Sequence, residues 1–405
     1  MSFMDTAWGV AFGGGHALGA DLRRGVPRLV QDVKAIDRRT VTLDPRGPQK
    51  GRVLLAYVIE GFFRADDEPF MGRHTHYWEA LEIARAWSEL GFRVDAIDNY
   101  NLSHRPEGSY DVVVGARMIL EPLLKRMDNE PLKVFHIDTC HWLANNTAQL
   151  RRIRAVQDRR GETLKPRKLI EVNRAAELAD VATVLGNDFT MGTYAFRDLA
   201  IHRVPISSVA PGDWMDRDME TARRSFVWLG SQGLVHKGLD LVLEAFAGMP
   251  DLDLYVCGPI DEEKDFVAAY RRELHETPNI HPIGWIDVQG PEWAEIARKC
   301  SAVVYPSCAE GGGGSVIACM HQGLMPLVTP SASVDVPDGG GLELKDETVE
   351  GIREAVRSIA GESPRRLVER SRSAWEHVRR HHTRAAFAEN YRAALGRIGQ
   401  DHGLS

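Results

Sequence analysis

Cysteine is scarce and scattered in this chain. Five occur in 405 residues, Cys140, Cys257, Cys300, Cys308 and Cys319, an odd number without paired short spacings. A disulfide framework and a zinc finger are therefore not expected, and a reducing cytoplasm is the natural setting. Long apolar runs are also missing. The first residues show no basic start followed by an apolar stretch, so neither a signal peptide nor a membrane span is expected. Positive charge is not in excess: 57 acidic residues against 50 basic give a net charge of −7, which speaks against a general nucleic-acid footprint. Two basic patches remain, Arg151 to Arg160 and Lys165 to Lys168, together reading RRIRAVQDRRGETLKPRK. They read either as a solvated helix and turn or as a contact with an acidic acceptor or an anionic membrane surface. No short repeat of solenoid type is present.

What is present is an alternation of strands and helices. The chain is 43% apolar and 26% charged, as in soluble globular proteins, and long enough for two domains. Residues 1–50 form a lead-in. GGGH at 13–16 lacks the Lys-Ser/Thr of a P-loop, and VPRLVQDVKAI at 26–36 is a short amphipathic stretch. From Gly51, RVLLAYVIEG reads as a strand buried on both faces. In HYWEALEIARAWSELG, Tyr77, Leu81, Ala84 and Trp87 recur at helical spacing, with Gly91 at the C-terminal cap. FRVDAID, YDVVVGA, KVFHID and ADVATVLGN are further strands. A second series opens near 225 with SFVWLGS, then a helix carrying Leu239, Val242, Leu243 and Phe246, then LDLYVCG, NIHPIGW, SAVVYPS and MPLVTP.

The pattern predicts an α/β protein of two Rossmann-like, doubly wound domains facing across a cleft. The first spans 51–210 on the acceptor side and the second 225–370 on the donor side, joined by a linker at 211–224. Residues 371–405 are C-terminal helices. Phe387, Tyr391 and Leu395 give the last one an apolar stripe that must dock.

Ligands of such sheets bind at the carboxyl ends of strands. There, after SAVVYPS, stands Glu310, followed by Gly311, Gly312, Gly313, Gly314 and Ser315 at the start of a helix. Bare backbone at a helix amino end suits a phosphate, although a tight turn without a ligand has the same sequence. LGSQGLVHKG at 229–238 repeats the design, with Ser231 after the strand and Lys237 before the helix. His74 and His76 begin the first helix, either as caps or as ligand contacts. His136, Asp138, Cys140 and His141 alternate along one strand end, which opposes convergence on a metal. Asp216-Arg217-Asp218 and Asp251-Leu252-Asp253 are short acidic pairs of a common kind and read as surface acids.

From about Gly51 to Leu395 the order of these segments resembles the retaining nucleotide-sugar glycosyltransferases of GT-B fold, specifically glycosyltransferase family four. GSQGLVHKGLDLVLEAF, LYVCG, NIHPIGWID and YPSCAEGGGGSVIACMHQGLMPLVT carry the likeness, with HTHYWEALEIARAWSELGFRVDAID and FHIDTCHW in the first half. The resemblance implies that Glu310 touches donor-sugar hydroxyls. It implies that Gly311 to Ser315, with Lys237 and Ser231, hold the diphosphate, and that Gly284, Trp285 and Ile286 face the nucleobase. His136 or His141 would contact the sugar, and His74, His76 and Trp142 would line the acceptor side. It further implies that the last helix returns to the first domain.

Two positions depart from that family. Ala318 stands where a second glutamate usually binds ribose, and no arginine precedes the phosphate lysine. Either other groups supply these functions or donor turnover is lost. The chemistry implied is metal-free transfer with retention, with no cofactor beyond the nucleotide-diphosphate sugar. The acceptor would be a carbohydrate, lipid-linked or other hydroxyl, and the setting cytoplasmic with or without peripheral contact to the inner membrane surface. The rival readings are an epimerase or phosphorylase on the same scaffold, and a silent sugar-nucleotide-binding or scaffold subunit.

Overall fold

A computed structural model of the protein describes residues 38–209 and 211–404. The GGGH and VPRLVQDVKAI segments lie outside the described residues. Seven strands form the first sheet: β1 (Val41–Leu43), β2 (Gly51–Tyr57), β3 (Phe92–Asp98), β4 (Val112–Ala116), β5 (Leu132–Ile137), β6 (Val181–Val184) and β7 (Ile201–Arg203). Their order is β1-β3-β2-β4-β5-β6-β7. All neighbours are parallel except β1, which pairs antiparallel with β3. The sheet thus begins at Val41, inside the segment read from sequence as a lead-in.

The runs that read as strands are buried on both faces because helices cover both. Val53, Leu55 and Tyr57 of β2 pack with Ile83, Ala84 and Trp87 of helix α1 (Thr75–Glu89) on one side. Leu54 and Ala56 pack with Leu120 and Leu123 on the other. Gly91 follows α1 at φ +95°, where a side chain would be strained, so the chain turns directly into β3. Helix α2 (Trp142–Arg160) follows β5 and stops at Gly161, φ +74°.

The second sheet is wholly parallel: β8 (Ser225–Leu229), β9 (Asp253–Cys257), β10 (Ile280–Gly284), β11 (Ala302–Tyr305), β12 (Met325–Val328) and β13 (Leu342–Glu343), in the order β10-β9-β8-β11-β12-β13. Helices α3 (Leu239–Ala247), α4 (Gly314–His321), α5 (Val349–Gly361) and α6 (Pro364–His381) surround it. In the linker, Trp214 meets Trp375 of α6 edge-on at 5.8 Å. The last helix, α7 (Arg384–His402), leaves this unit and packs on α1. Phe387 meets Trp78 there, the Trp87 indole donates to the Tyr391 hydroxyl at 3.3 Å, and Arg392 pairs with Glu82 and Glu89 at 2.7 Å.

The basic run at 151–168, which from sequence reads as a solvated helix and turn or as a contact with an acidic acceptor or an anionic membrane surface, forms a further connection between the lobes. The arginines of α2 and the following segment instead reach acids of the second lobe. Arg152 pairs with Glu347 at 3.3 Å, Arg159 with Asp240 at 2.7 Å, and Arg160 with Glu273 at 2.7 Å. Arg167 pairs with Asp265 and Glu263. The basic run is a strap, and most of its guanidinium groups are already used within the chain. No described helix is long and apolar enough to cross a membrane.

Candidate functional site

Strand order reverses beside β2 and β4 in the first sheet and beside β8 and β11 in the second. Crevices for ligands open at such switch points. Lys237 follows β8 and Glu310 follows β11, so one crevice holds both. The Lys237 ammonium donates to Glu310 Oε1 at 2.7 Å and to the Tyr305 hydroxyl at 2.7 Å. Tyr305 and Ser307 donate to the same carboxylate oxygen at 2.9 and 3.0 Å. Lys237 is 6% and Glu310 18% exposed. Withdrawal from water pushes the Glu310 carboxyl up, but the attraction and hydrogen bond of Lys237, with the pull of His236 and Lys168, together reverse this and hold it at about 2. Glu310 is therefore ionised at neutral pH. Oε1 takes three donors, and among the described residues Oε2 takes none.

The glycines after Glu310 are shaped by packing between the lobes. A Cβ on Gly311 would fall on the Asp138 carbonyl and the Thr139 Cα of the first lobe. The Glu310 carbonyl accepts from Cys140 Sγ at 2.9 Å and from Thr190 Oγ1 at 3.0 Å. Gly312 lies against Ile206, and Gly313, at φ +57°, would strike Val334. The sequence reading of Gly311 to Ser315 as phosphate-holding backbone thus narrows. Close packing accounts for Gly311, Gly312 and Gly313, while Gly314 is exposed and Ser315 half-buried at the amino end of α4. Ala318 of α4 is 4% exposed, so the position where a second acid was sought is closed to solvent.

The loop before Lys237 is similarly engaged. The Gly233 and Leu234 amides donate to Glu263 Oε1 at 2.5 and 3.2 Å, and Trp228 Nε1 donates to the Lys237 carbonyl at 3.1 Å. Ser231 is exposed at the loop's tip. Gly284 ends β10, beyond β9, and Trp285 and Ile286 follow it. Ile286 is buried, while the Trp285 ring is 72% exposed.

The first lobe contributes an ionised pair that sequence reasoning missed. Arg117, after β4, is bonded to Asp138 at 2.8 Å and to the Tyr100 hydroxyl at 2.9 Å. It stands at φ +55°, a costly conformation for arginine that no motif betrays. His74 caps α1, its Nδ1 accepting from the His76 amide at 3.2 Å. Both imidazoles are held neutral. Loss of solvation lowers each, although the His74 side chain stays open to solvent and His76 is half-buried, with added repulsion from Arg117 on His74 and from His74 on His76.

His136 lies at the end of β5. It is 1% exposed, its Nδ1 bonded to Thr183 Oγ1 at 2.8 Å and its ring against Tyr57. Burial lowers its pKa to about 4. Its Nε2 is buried and finds no partner among the described residues. His141 and Trp142 lie elsewhere. With Phe189, Phe196, Cys308 and Ala309 they line a mainly apolar cavity of about 780 Å³ between the lobes. The acidic pairs are used locally: Asp218 caps a helical turn, Asp253 binds His281 at 2.7 Å, and Asp251 faces Arg357.

Residues 223–370 match the family model described as "Glycosyl transferases group 1", a little over a third of the chain. No curated protein sequence matches the chain. Among solved structures, HepE from Anabaena, determined with UDP and glucose, is 10% identical at a TM-score of 0.53, covering 85% of this chain and 99% of its own. The α,α-trehalose 6-phosphate synthase of Burkholderia multivorans is 9% identical at 0.56, covering 88% and 100%. WaaG, a glycosyltransferase involved in lipopolysaccharide biosynthesis, is 14% identical at 0.51, covering 84% and 98%. Two structures of TarM match at 0.49 and 12% identity, but this chain spans only 54% and 53% of their length. The fold is the GT-B architecture of two Rossmann-like domains, and its second domain is of the glycosyl transferase group 1 kind.

Proposed function

We propose that the protein is a glycosyltransferase moving a sugar from a nucleotide-diphosphate donor to an acceptor hydroxyl, with retention and without an obligatory metal. The observation that carries this reading is the Lys237–Glu310 pair at the switch point of a domain matching the glycosyl transferases group 1 model. Transfer breaks the bond from the anomeric carbon to a phosphate oxygen. Positive charge develops on the sugar ring and negative charge on the leaving phosphate. Glu310 stays ionised, with Oε2 turned to a donor-sugar hydroxyl. The open amides of Gly314 and Ser315, at the positive end of α4, face the phosphate. One such pre-aimed donor is typically worth roughly 3–4 kcal/mol of barrier. The acceptor oxygen attacks on the face that the phosphate leaves, and the departing phosphate takes the acceptor's proton. The neutral imidazoles of His74 and His76 lie on the first lobe's side of the crevice, where a hydroxyl acceptor would sit.

HepE was solved with UDP and glucose, so UDP-sugars are the first donors to try. Thermal-shift screening against UDP, GDP, ADP and their sugars comes first, followed by product analysis with the donor alone and with hydroxyl acceptors. Stabilisation by one nucleoside diphosphate and acceptor-dependent product are expected. No shift with any of them overturns the donor site. Binding without turnover identifies a silent subunit, and donor isomerised on its own identifies an epimerase.

A further inference from the structure

Of the basic side chains Lys237, Arg117, His74, His76 and Lys168 at the crevice, each is paired or neutral except Lys168, at the end of the basic run 165–168. Lys237 is neutralised by Glu310 at 2.7 Å and Arg117 by Asp138 at 2.8 Å. His74 and His76 are held neutral. Lys168, on the strap between α2 and β6, has no carboxylate partner among the described residues. Its position is built. Its amide donates to Gln149 Oε1 at 2.8 Å, and its carbonyl accepts from Asn145 Nδ2 at 2.7 Å. Both partners are buried side chains of α2. Thus held, the aliphatic stem of Lys168 lies on Gly233, at φ +90°, and any side chain at 233 would collide with it.

We infer that Lys168 is the unpaired cation of the donor site, lent by the first lobe to the diphosphate held beside the loop of the second. This rests on the nucleotide-sugar reading above and names the group that supplies the missing positive charge. The surroundings agree. Burial, then repulsion from Lys237, lowers the Lys168 pKa to about 8; Arg117 adds to the repulsion, while Glu310 and Glu263 oppose it. Lys168 in turn repels a proton on His74 and on His236. An ammonium crowded by like charges is stabilised by an arriving dianion, and it is stripped of its proton not far above neutrality when none is bound. The strap and the donor loop are also one structure. Arg167 pairs with Glu263, whose carboxylate holds the Gly233 and Leu234 amides.

The test is calorimetric titration of the full chain with UDP, GDP and ADP at pH 7, 8 and 9, for wild type, Lys168→Met and Lys168→Arg. Methionine keeps the stem on Gly233 and strands no carboxylate, so its thermal midpoint should match wild type. The tightest diphosphate should bind Lys168→Met about tenfold more weakly at pH 7, the scale of one charge-assisted hydrogen bond. Wild-type affinity should fall between pH 7 and 9, Lys168→Arg should hold its affinity over that range, and Lys168→Met should be flat. Binding by Lys168→Met within twofold of wild type, with the same pH profile, overturns the assignment and leaves the donor reading intact. No binding by wild type overturns both.

Discussion

At the scale of single residues, the Lys237–Glu310 pair couples function to stability. Glu310→Gln keeps the shape and removes the charge, and should lower turnover by about 10²–10³, measured with the donor that binds. Lys237→Met leaves a largely buried carboxylate without its cation and should cost about 3–5 kcal/mol in urea unfolding. Adding Glu310→Gln to it should recover part of that loss, as a double-mutant cycle would show. The pH dependence has a definite sign. The Glu310 carboxyl is held at about 2 against an ordinary 4.5, so its contribution to stability is whole above pH 4.5 and disappears as pH falls towards 2. Glu310→Gln should lack that acid limb. Both residues were legible in the sequence because each follows an apolar strand. Their bond was not, since 73 positions separate them. Lys168 was legible only as one of a basic run, and Arg117 left no trace because it follows an ordinary strand. The burial of His136 was not legible either, because strand alternation tells which face a side chain takes but not what covers that face.

At the scale of elements, the glycine run divides into two kinds. Gly311→Ala drives a methyl into the Asp138–Thr139 backbone and should destabilise by about 1–3 kcal/mol, as overpacking does. Gly314→Ala meets nothing closer than Ile206 Cδ1 at 3.7 Å, and should be neutral or slightly stabilising at the first turn of α4. Paired thermal midpoints check the contrast. Helix α1 offers another test. Glu79 is fully buried, its Oε1 accepting from the Ser207 amide and hydroxyl at 2.8 and 2.7 Å. Burial raises its carboxyl from 4.5 to about 7. Its contribution is therefore whole below pH 4.5 and declines as pH rises to 7, so Glu79→Gln should flatten the urea midpoint over that interval. The long strands and amphipathic helices were readable from their periods. Strand β1 was not, because three residues, Val41–Leu43, carry too little alternation to register.

At the scale of the whole molecule, the linker, α7 on α1 and the α2 strap join the lobes, beside direct contacts such as Gly311 on Asp138 and Thr139 and the Arg203–Asp335 pair. Arg159→Ala removes the partner of Asp240, which is fully buried, and should cost about 3 kcal/mol. Combined with Arg160→Ala it should raise the radius of gyration in small-angle scattering and speed hydrogen exchange in residues 165–170. Unchanged scattering and exchange would show that the other joints suffice. The two-domain plan was visible in sequence as two runs of alternating elements. The strap was not, because its acids lie far along the chain from its arginines, as the 113 positions between Arg160 and Glu273 show. The strap also limits what can be recombined. A hybrid that keeps residues 38–209 and imports another enzyme's donor half must bring counterparts of Asp240, Glu273, Glu347 and Asp265, or the guanidinium groups of Arg152, Arg159, Arg160 and Arg167 lose their carboxylates at the graft.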